Sequence, residues 1–385
     1  MRVAWLFEYP TMNGGERSLL ATLPALRRAE IQSVALAPAS GDLAAELARQ
    51  GVELAAFELF DGGQRRSRDE LRGALTARLQ SLGPALLHAN SLSMGRLSGP
   101  VAQALRMPSI AHLRDIVRLN QAAVADLNCH TRLLAVSRAT RDSHLRQGID
   151  GQRTEVCHNG VDLGQFRPQT AGGWLHQRLN LPPRAVLIGS IGQIILRKGQ
   201  DILIRAAARL QPHFPDLHWL LVGDRHSPKA ETVEYEAALH AAVREHRLTE
   251  RVHFLGTLTA VERLLPELTL LVHTARQEPL GRVLLEAAAG GVPCVATDVG
   301  GTGEVFPTPE QARLVPVNDD IALATAVREL LLSSQERQEM ARAARRHVEQ
   351  CFDAQTAGDR LAEHYRQVIA MCPGRGADFT SRGQQ

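Results

Sequence analysis

The chain is 385 residues long, more than the roughly 100 to 200 of one ordinary domain, so two globular domains are expected. Hydrophobic residues make up 44% and charged residues 22%, proportions that exclude wholesale disorder and fibrous repeats. The net charge of +3, from 44 basic and 41 acidic residues, is too close to balance to argue for nucleic acid.

The opening MRVAWLFEYP meets Glu8 too early to act as the apolar core of a signal peptide, and no apolar run approaches the roughly 18 residues of a membrane span, so a cytoplasmic protein is expected. Short apolar segments at 3–7, 33–37, 85–88, 109–112 and 133–136 then read as strands, with helical stretches such as 18–28 and 138–147 between them. This alternation predicts βα units on a parallel sheet. Within this region Arg65, Arg66, Arg68, Arg72 and Arg78 form a basic stretch with Asp69 and Glu70 interspersed, and the first domain as a whole is net positive. A solvated helix face is the plain reading; an anionic acceptor or peripheral contact with the membrane surface is the functional one. The segment 167–184 has several prolines and glycines and no sustained period, which marks a domain boundary.

A second series of strands follows at 185–192, 219–223, 252–256, 270–273 and 293–297, and three helical stretches come after about residue 318. The expected division is a first domain over 1–170, a linker over 171–184, a second domain over 185–353, a helix over 354–371 packing back on the first domain, and a disordered tail over 372–385. Five cysteines, at 129, 157, 294, 351 and 372, form no CxxC or Cys/His cluster, which argues against a disulfide framework and a zinc site.

In open α/β sheets ligands lie outside the carboxyl ends of strands, where helix N-termini offer free N–H groups to anions. Two such domains facing each other make a cleft. The most informative segment is QEPLGRVLLEAAAGGVPCVATDVGG, where Glu278 precedes Gly281 and a helix that carries Glu286. A helix starting near Gly281 puts Glu286 about 7.5 Å along its axis. That spacing suits a nucleoside diphosphate sugar, with ribose at Glu286, phosphates on the N–H groups of Gly281 to Val283, and sugar hydroxyls at Glu278. Of the basic residues only Lys198 and Lys229 are lysine, and Lys198 at a helix start opposes the helix dipole, which favours a phosphate contact over a mere surface charge.

This segment resembles the E-x7-E motif of the retaining glycosyltransferases of the GT-B fold, family 4 (group 1). NGGERSLL at 13–20, LLHANS at 86–91, HNGVDLGQFRP at 158–168, IGQIILRKGQDILIRA at 191–206 and VHFLG at 252–256 are similar to further family segments in the same order. The resemblance implies two doubly wound Rossmann-like domains facing across a cleft. It implies catalytic roles for His112, Lys198 and Glu278, and donor binding by Gly15, Gln193, Lys198, Leu255, Glu278, Leu280, Gly281, Arg282, Val283 and Glu286. It further implies a GDP- or UDP-hexose donor, a glycan, lipid-linked or small-molecule acceptor, polysaccharide or glycoconjugate synthesis, and same-face attack with retention. Neither a metal nor a cofactor beyond the donor is called for.

One departure stands out. Gln193 occupies the place of the family's phosphate-binding arginine, and a neutral amide cannot neutralise a leaving diphosphate; Arg197 and Arg282 are the candidate replacements. His88, at a strand end, divides evenly between core and site. Two other functions stay open: a nucleotide-sugar epimerase on the same fold, and a binding subunit without turnover. A dinucleotide oxidoreductase has no support, because no GxGxxG follows the first strand.

Overall fold

Continuous apolar runs, not alternating ones, mark strands buried on both faces, and the computed structural model shows that arrangement twice. It describes residues 1–372; the tail expected to be disordered lies almost wholly outside them. The strands are β1 (Arg2–Leu6), β2 (Gln32–Ala37), β3 (Glu53–Ala56), a small hairpin of β4 (Phe60–Asp61) and β5 (Gln64–Arg65), β6 (Leu86–Ala89), β7 (Ser109–Leu113), β8 (Arg132–Ala135) and β9 (Thr154–Val156). They continue with β10 (Val186–Ile191), β11 (Leu217–Val222), β12 (Val252–Gly256), β13 (Leu270–His273), β14 (Cys294–Thr297) and β15 (Arg313–Val315).

Apart from the antiparallel hairpin, these strands form two parallel sheets. One has seven strands in the order β3-β2-β1-β6-β7-β8-β9, the other six in the order β12-β11-β10-β13-β14-β15. Chain order reverses between β1 and β6 in the first sheet and between β10 and β13 in the second. Ligand crevices open at such switch points, beyond the carboxyl ends of the flanking strands.

The strands that sequence reading misses, β3, β9, β15 and the hairpin β4–β5, are short and at most partly buried. β3, β9 and β15 each close an edge of a sheet, where little apolar surface is needed. The helix expected over 18–28 is instead two helices, Gly14–Leu20 and Leu23–Arg28. Pro24 sits in the first turn of the second, a position where its fixed φ suits a helix start and its missing N–H costs nothing.

The chain separates into one unit comprising Met1–Gly160 and the segment from Ala354, and another comprising Val161–Asp353. The expected boundary near 170 is therefore corrected to Gly160. The stretch 171–184 is not a free linker but part of the second unit, holding the short helix Trp174–Arg178. A buried carboxylate explains this, since Glu267 Oε1 accepts the backbone N–H groups of Gly172 at 2.7 Å and Gly173 at 3.0 Å. Among the described residues no helix is long and apolar enough to cross a membrane.

The helix Ala354–Ala370 belongs to the first unit, where Leu361, Ala362, Tyr365 and Val368 join a core cluster with Val3, Trp5, Phe7, Leu23 and Leu26. Its close approach to the helix Leu23–Arg28 depends on Gly358. A Cβ there would lie 2.5 Å from Ala25 Cβ and 2.9 Å from the Thr22 carbonyl oxygen. Gly358→Ala is expected to force the two helices apart and cost about 1–3 kcal/mol of stability. Chemical denaturation read by Trp5 fluorescence checks this, and an unchanged midpoint would contradict the packing described.

Candidate functional site

In the second unit the expected donor residues gather on the two loops that leave β10 and β13 at the switch point. The first loop runs from Gly192 to Lys198 and turns into the helix Gln200–Leu210 through Gly199. Gly199 has φ +65°, and a Cβ there would stand 2.1 Å from the Thr274 carbonyl oxygen, so only glycine lets the two loops approach this closely. Side chains then tie them together. Thr274 Oγ1 donates to the Lys198 carbonyl at 3.1 Å, and Arg276 donates to the Leu196 carbonyl at 2.8 Å while pairing with Asp201 at 2.7 Å. Gln200 Nε2 donates to the Gln193 carbonyl at 2.9 Å.

Against this frame Lys198 Nζ lies 2.5 Å from Glu278 Oε2, and His273 Nε2 lies 2.8 Å from the same oxygen. Glu278 is only 6% exposed. Burial by itself would raise its carboxyl, but the Lys198 ammonium and the His273 hydrogen bond outweigh it and hold the group well below the carboxylate range. Burial, reinforced by Lys198, lowers His273 in turn. A neutral imidazole facing an acceptor-only carboxylate carries its proton on Nε2. Both partners use Oε2, and among the described residues Oε1 carries no hydrogen bond.

The helix that follows spans Arg282–Ala289 with Gly281 at its N-cap, φ +103°. Glu286 lies inside it, 6% exposed, and pairs with Arg282 Nε at 2.6 Å. Leu280 is buried and Val283 half-buried beside the helix start. The main chain of Glu278 is held from beneath by Gly300, whose φ is +58° and whose Cβ would stand 1.9 Å from the Glu278 carbonyl oxygen. Gln193 follows Gly192 at the end of β10, and its amide makes no hydrogen bond among the described residues. Leu255 stands apart from this group, half-buried near the end of the edge strand β12.

Gly15 and His112 belong to the first unit. The NGGE segment has a structural explanation in part, since the Asn13 backbone N–H donates to Glu16 Oε2 at 3.1 Å and so caps the helix Gly14–Leu20. A Cβ on Gly15 would approach Arg114 Cδ to 3.0 Å. Arg114 donates to Asn90 Oδ1 at 2.8 Å and Asn159 Oδ1 at 2.7 Å, and its Nη2 lies 3.2 Å from His112 Nδ1. Burial lowers Arg114 to about 10, still a cation at neutral pH. His112 and Arg114 line a cavity of about 10 Å³ with Cys157, Asn159 and Leu361, room for roughly one water.

Sequence reading missed Arg114, His273 and Arg276. Their signal was position: each lies at, or just beyond, the carboxyl end of a parallel strand. The basic stretch divides. Arg72 and Arg68 pair with Asp126 at 2.8 Å and 3.6 Å, and Arg72 also donates to the carbonyls of Arg96 and Leu97, so these two hold the helix Arg68–Leu82 in place.

The family model for glycosyl transferases group 1 matches residues 175–347, and that for glycosyltransferase family 4 matches 12–165. A D-inositol 3-phosphate glycosyltransferase of Salinispora tropica is 32% identical over 61% of this chain and 50% of its own length. A lipopolysaccharide core biosynthesis mannosyltransferase, LpcC of Rhizobium leguminosarum, is 33% identical over 45% of this chain and 48% of its own length. The match thus spans about half the length of these curated relatives. Anabaena Alr3699/HepE, solved in complex with UDP and glucose, superposes with a TM-score of 0.83 at 23% identity over 95% of this chain and 99% of its own. That likeness assigns the GT-B fold to the two parallel-sheet domains.

The depressed Glu278 carboxyl has a consequence for stability. A group lowered on folding stabilises the fold above its ordinary value of 4.5 and loses that contribution as pH falls from there through the folded-state value. Glu278→Gln is expected to unfold more easily than the parent at neutral pH and to lose less stability on acidification below 4.5. Lys198→Met, which leaves the carboxylate buried without its cation, is expected to cost about 3–5 kcal/mol. Denaturant titrations at neutral and acid pH check both; parallel pH profiles for parent and Glu278→Gln would refute the pairing as a stabilising element.

Proposed function

We propose, for a chain that belongs to the group 1 and family 4 glycosyltransferases, that it transfers a hexosyl group from a nucleoside diphosphate donor to a glycan, lipid-linked or small-molecule acceptor with retention of configuration. One observation carries the reading. The cluster of Lys198, His273 and Glu278 sits at the carboxyl ends of β10 and β13, next to the start of a helix that holds Glu286.

In this reading Glu278 Oε1 accepts from sugar hydroxyls, and Glu286 takes the ribose. The N–H groups at the start of the helix Arg282–Ala289 meet the diphosphate. Lys198 neutralises the charge that grows on the phosphate oxygen as the bond from sugar carbon to phosphate breaks. The acceptor oxygen bonds to the same face of that carbon, and its proton passes to the departing phosphate oxygen. His112 and Gly15, in the first unit, are the residues there to which the family resemblance gives substrate contacts. The named partners of similar proteins, UDP and glucose in HepE and lipopolysaccharide core for LpcC, support a nucleotide-hexose donor and a cell-surface glycan product.

A second reading, donor binding without turnover, rests on Gln193 and on the engagement of Lys198 with Glu278 and of Arg282 with Glu286. Incubating the purified chain with a panel of nucleotide sugars and acceptors separates the two. Free nucleoside diphosphate with a glycosylated product supports transfer; binding without release supports the second reading; an altered sugar still on its nucleotide supports epimerisation instead. If transfer occurs, Lys198→Ala is expected to lower kcat by about 10²-fold, the scale of one lost transition-state donor. A rise in KM alone would reduce Lys198 to uniform binding.

Arg276 pairs with Asp201 and Arg282 with Glu286, which favours Arg197 in this reading as the substitute for the cation missing at Gln193. Arg197→Ala is therefore expected to cost as much kcat as Lys198→Ala, with Gln193→Arg restoring most of the loss in the double variant. Equal rates in the parent, Arg197→Ala and Gln193→Arg would show that neither side chain faces the diphosphate.

A further inference from the structure

Beneath the first sheet's crevice a chain of buried polar groups leads to His112, and no catalytic step above uses the groups behind it. Trp5 Nε1 donates to Tyr365 Oη at 3.1 Å, Tyr365 Oη lies 2.6 Å from His88 Nδ1, and His88 Nε2 lies 2.8 Å from His112 Nδ1. Arg114 Nη2 lies 3.2 Å from that same Nδ1. His88 is fully buried and His112 is 3% exposed. The elements that contribute are β1, β6, β7, the loop after β7 and the helix Ala354–Ala370.

The two ends of this chain are donors that cannot accept: the Trp5 indole N–H and the Arg114 guanidinium. Their direction orders every proton between them. With Tyr365 Oη accepting from Trp5, its own proton has one acceptor among the described residues, His88 Nδ1. His88 then carries its proton on Nε2 and donates it to His112 Nδ1. His112 Nδ1 receives from His88 and faces an Arg114 N–H as well, so the neutral ring carries its proton on Nε2. The reverse order would turn the Tyr365 hydroxyl proton away from its acceptor and set an Nδ1–H of His112 against an Arg114 N–H, two buried polar conflicts of the kind folded proteins avoid.

We propose that Tyr365 and His88 are positioning residues: with Arg114 they hold His112 as its Nε2–H tautomer, so that it meets a substrate oxygen as a hydrogen-bond donor and not as a base. The claim that the oxygen belongs to a sugar donor rests on the function proposed above; the tautomer does not. Burial, then the Arg114 cation, then His88 lower His112 well below the ordinary histidine range, which agrees with a ring that stays neutral. The groups facing His112 are His88 and Arg114, with His364 acting from the terminal helix.

The experiment reads the tautomer directly, by long-range proton–nitrogen correlation NMR of the full chain labelled at histidine, with His112 assigned by its absence in His112→Gln. The parent is expected to show Nε2 protonated and Nδ1 bare at neutral pH; an Nδ1–H tautomer or an imidazolium overturns the proposal. His88→Leu leaves only the longer Arg114 contact and is expected to give mixed tautomers and a kcat lower by about 10²-fold, the scale of one displaced donor, with the donor KM within a few-fold. His88→Gln, whose amide can accept from Tyr365 and donate to His112, is expected to restore the Nε2–H form and most of the rate. Equal kcat in His88→Leu and His88→Gln would mean packing alone and would overturn the positioning role. Tyr365→Phe supplies the second variant, with mixed tautomers expected; a pure Nε2–H signal there would remove Tyr365 from the relay. If the parent transfers no sugar while the Nε2–H signal is present, the proposed function fails and the tautomer stands.

Discussion

A carboxylate as deeply buried as Glu278 has to be paired, and its partners come from opposite sides of a switch point: Lys198 from the loop after β10, His273 from the end of β13. The pairing needs the two loops within side-chain reach, and that in turn needs Gly199, where any Cβ would strike the Thr274 carbonyl. Arg276, Asp201 and Gln200 then fix the first loop from behind. The desolvation of one acid thus organises the main chain around it. A buried, unpaired carboxylate would cost several kcal/mol, more than any single loop contact returns.

The two units answer a similar architectural problem with opposite chemistry. In the second, charge is balanced locally, Lys198 against Glu278 and Arg282 against Glu286. In the first, the Arg114 cation is surrounded by neutral acceptors, Asn90 and Asn159, and by an imidazole that burial keeps neutral. Its carboxylate neighbour, Glu16, is itself raised by burial and committed to capping a helix. The floor of the first sheet's crevice thus holds a buried cation with Glu16 and Asp115 nearby, while that of the second holds a carboxylate paired with Lys198.

Central strands and both sheets were legible in the sequence because their apolar runs are continuous, and the E-x7-E segment was legible because helix geometry converts its spacing into distance. The Arg282–Glu286 pair was readable too, as an i,i+4 contact of opposite charges, although the two residues were assigned to separate parts of a ligand. What escaped was of two kinds. Short edge strands such as β9 carry too few apolar residues to stand out, and Pro24 reads as an interruption only once its place in a first turn is known. The Lys198–Glu278 and Tyr365–His88 contacts join residues 80 and 277 positions apart, and no local pattern encodes which distant strand ends will be neighbours.

The helix Ala354–Ala370 completes the core of the first unit, yet it is the last described element to be made. During synthesis, Trp5, Leu23 and Leu26 therefore wait through the whole of Val161–Asp353 before their covering surface exists. The second unit, contiguous in sequence, is free to finish folding first. The usual order, in which N-terminal domains mature before the rest of the chain leaves the ribosome, meets an obstacle here, because the core of the first unit cannot close until the helix Ala354–Ala370 has been made.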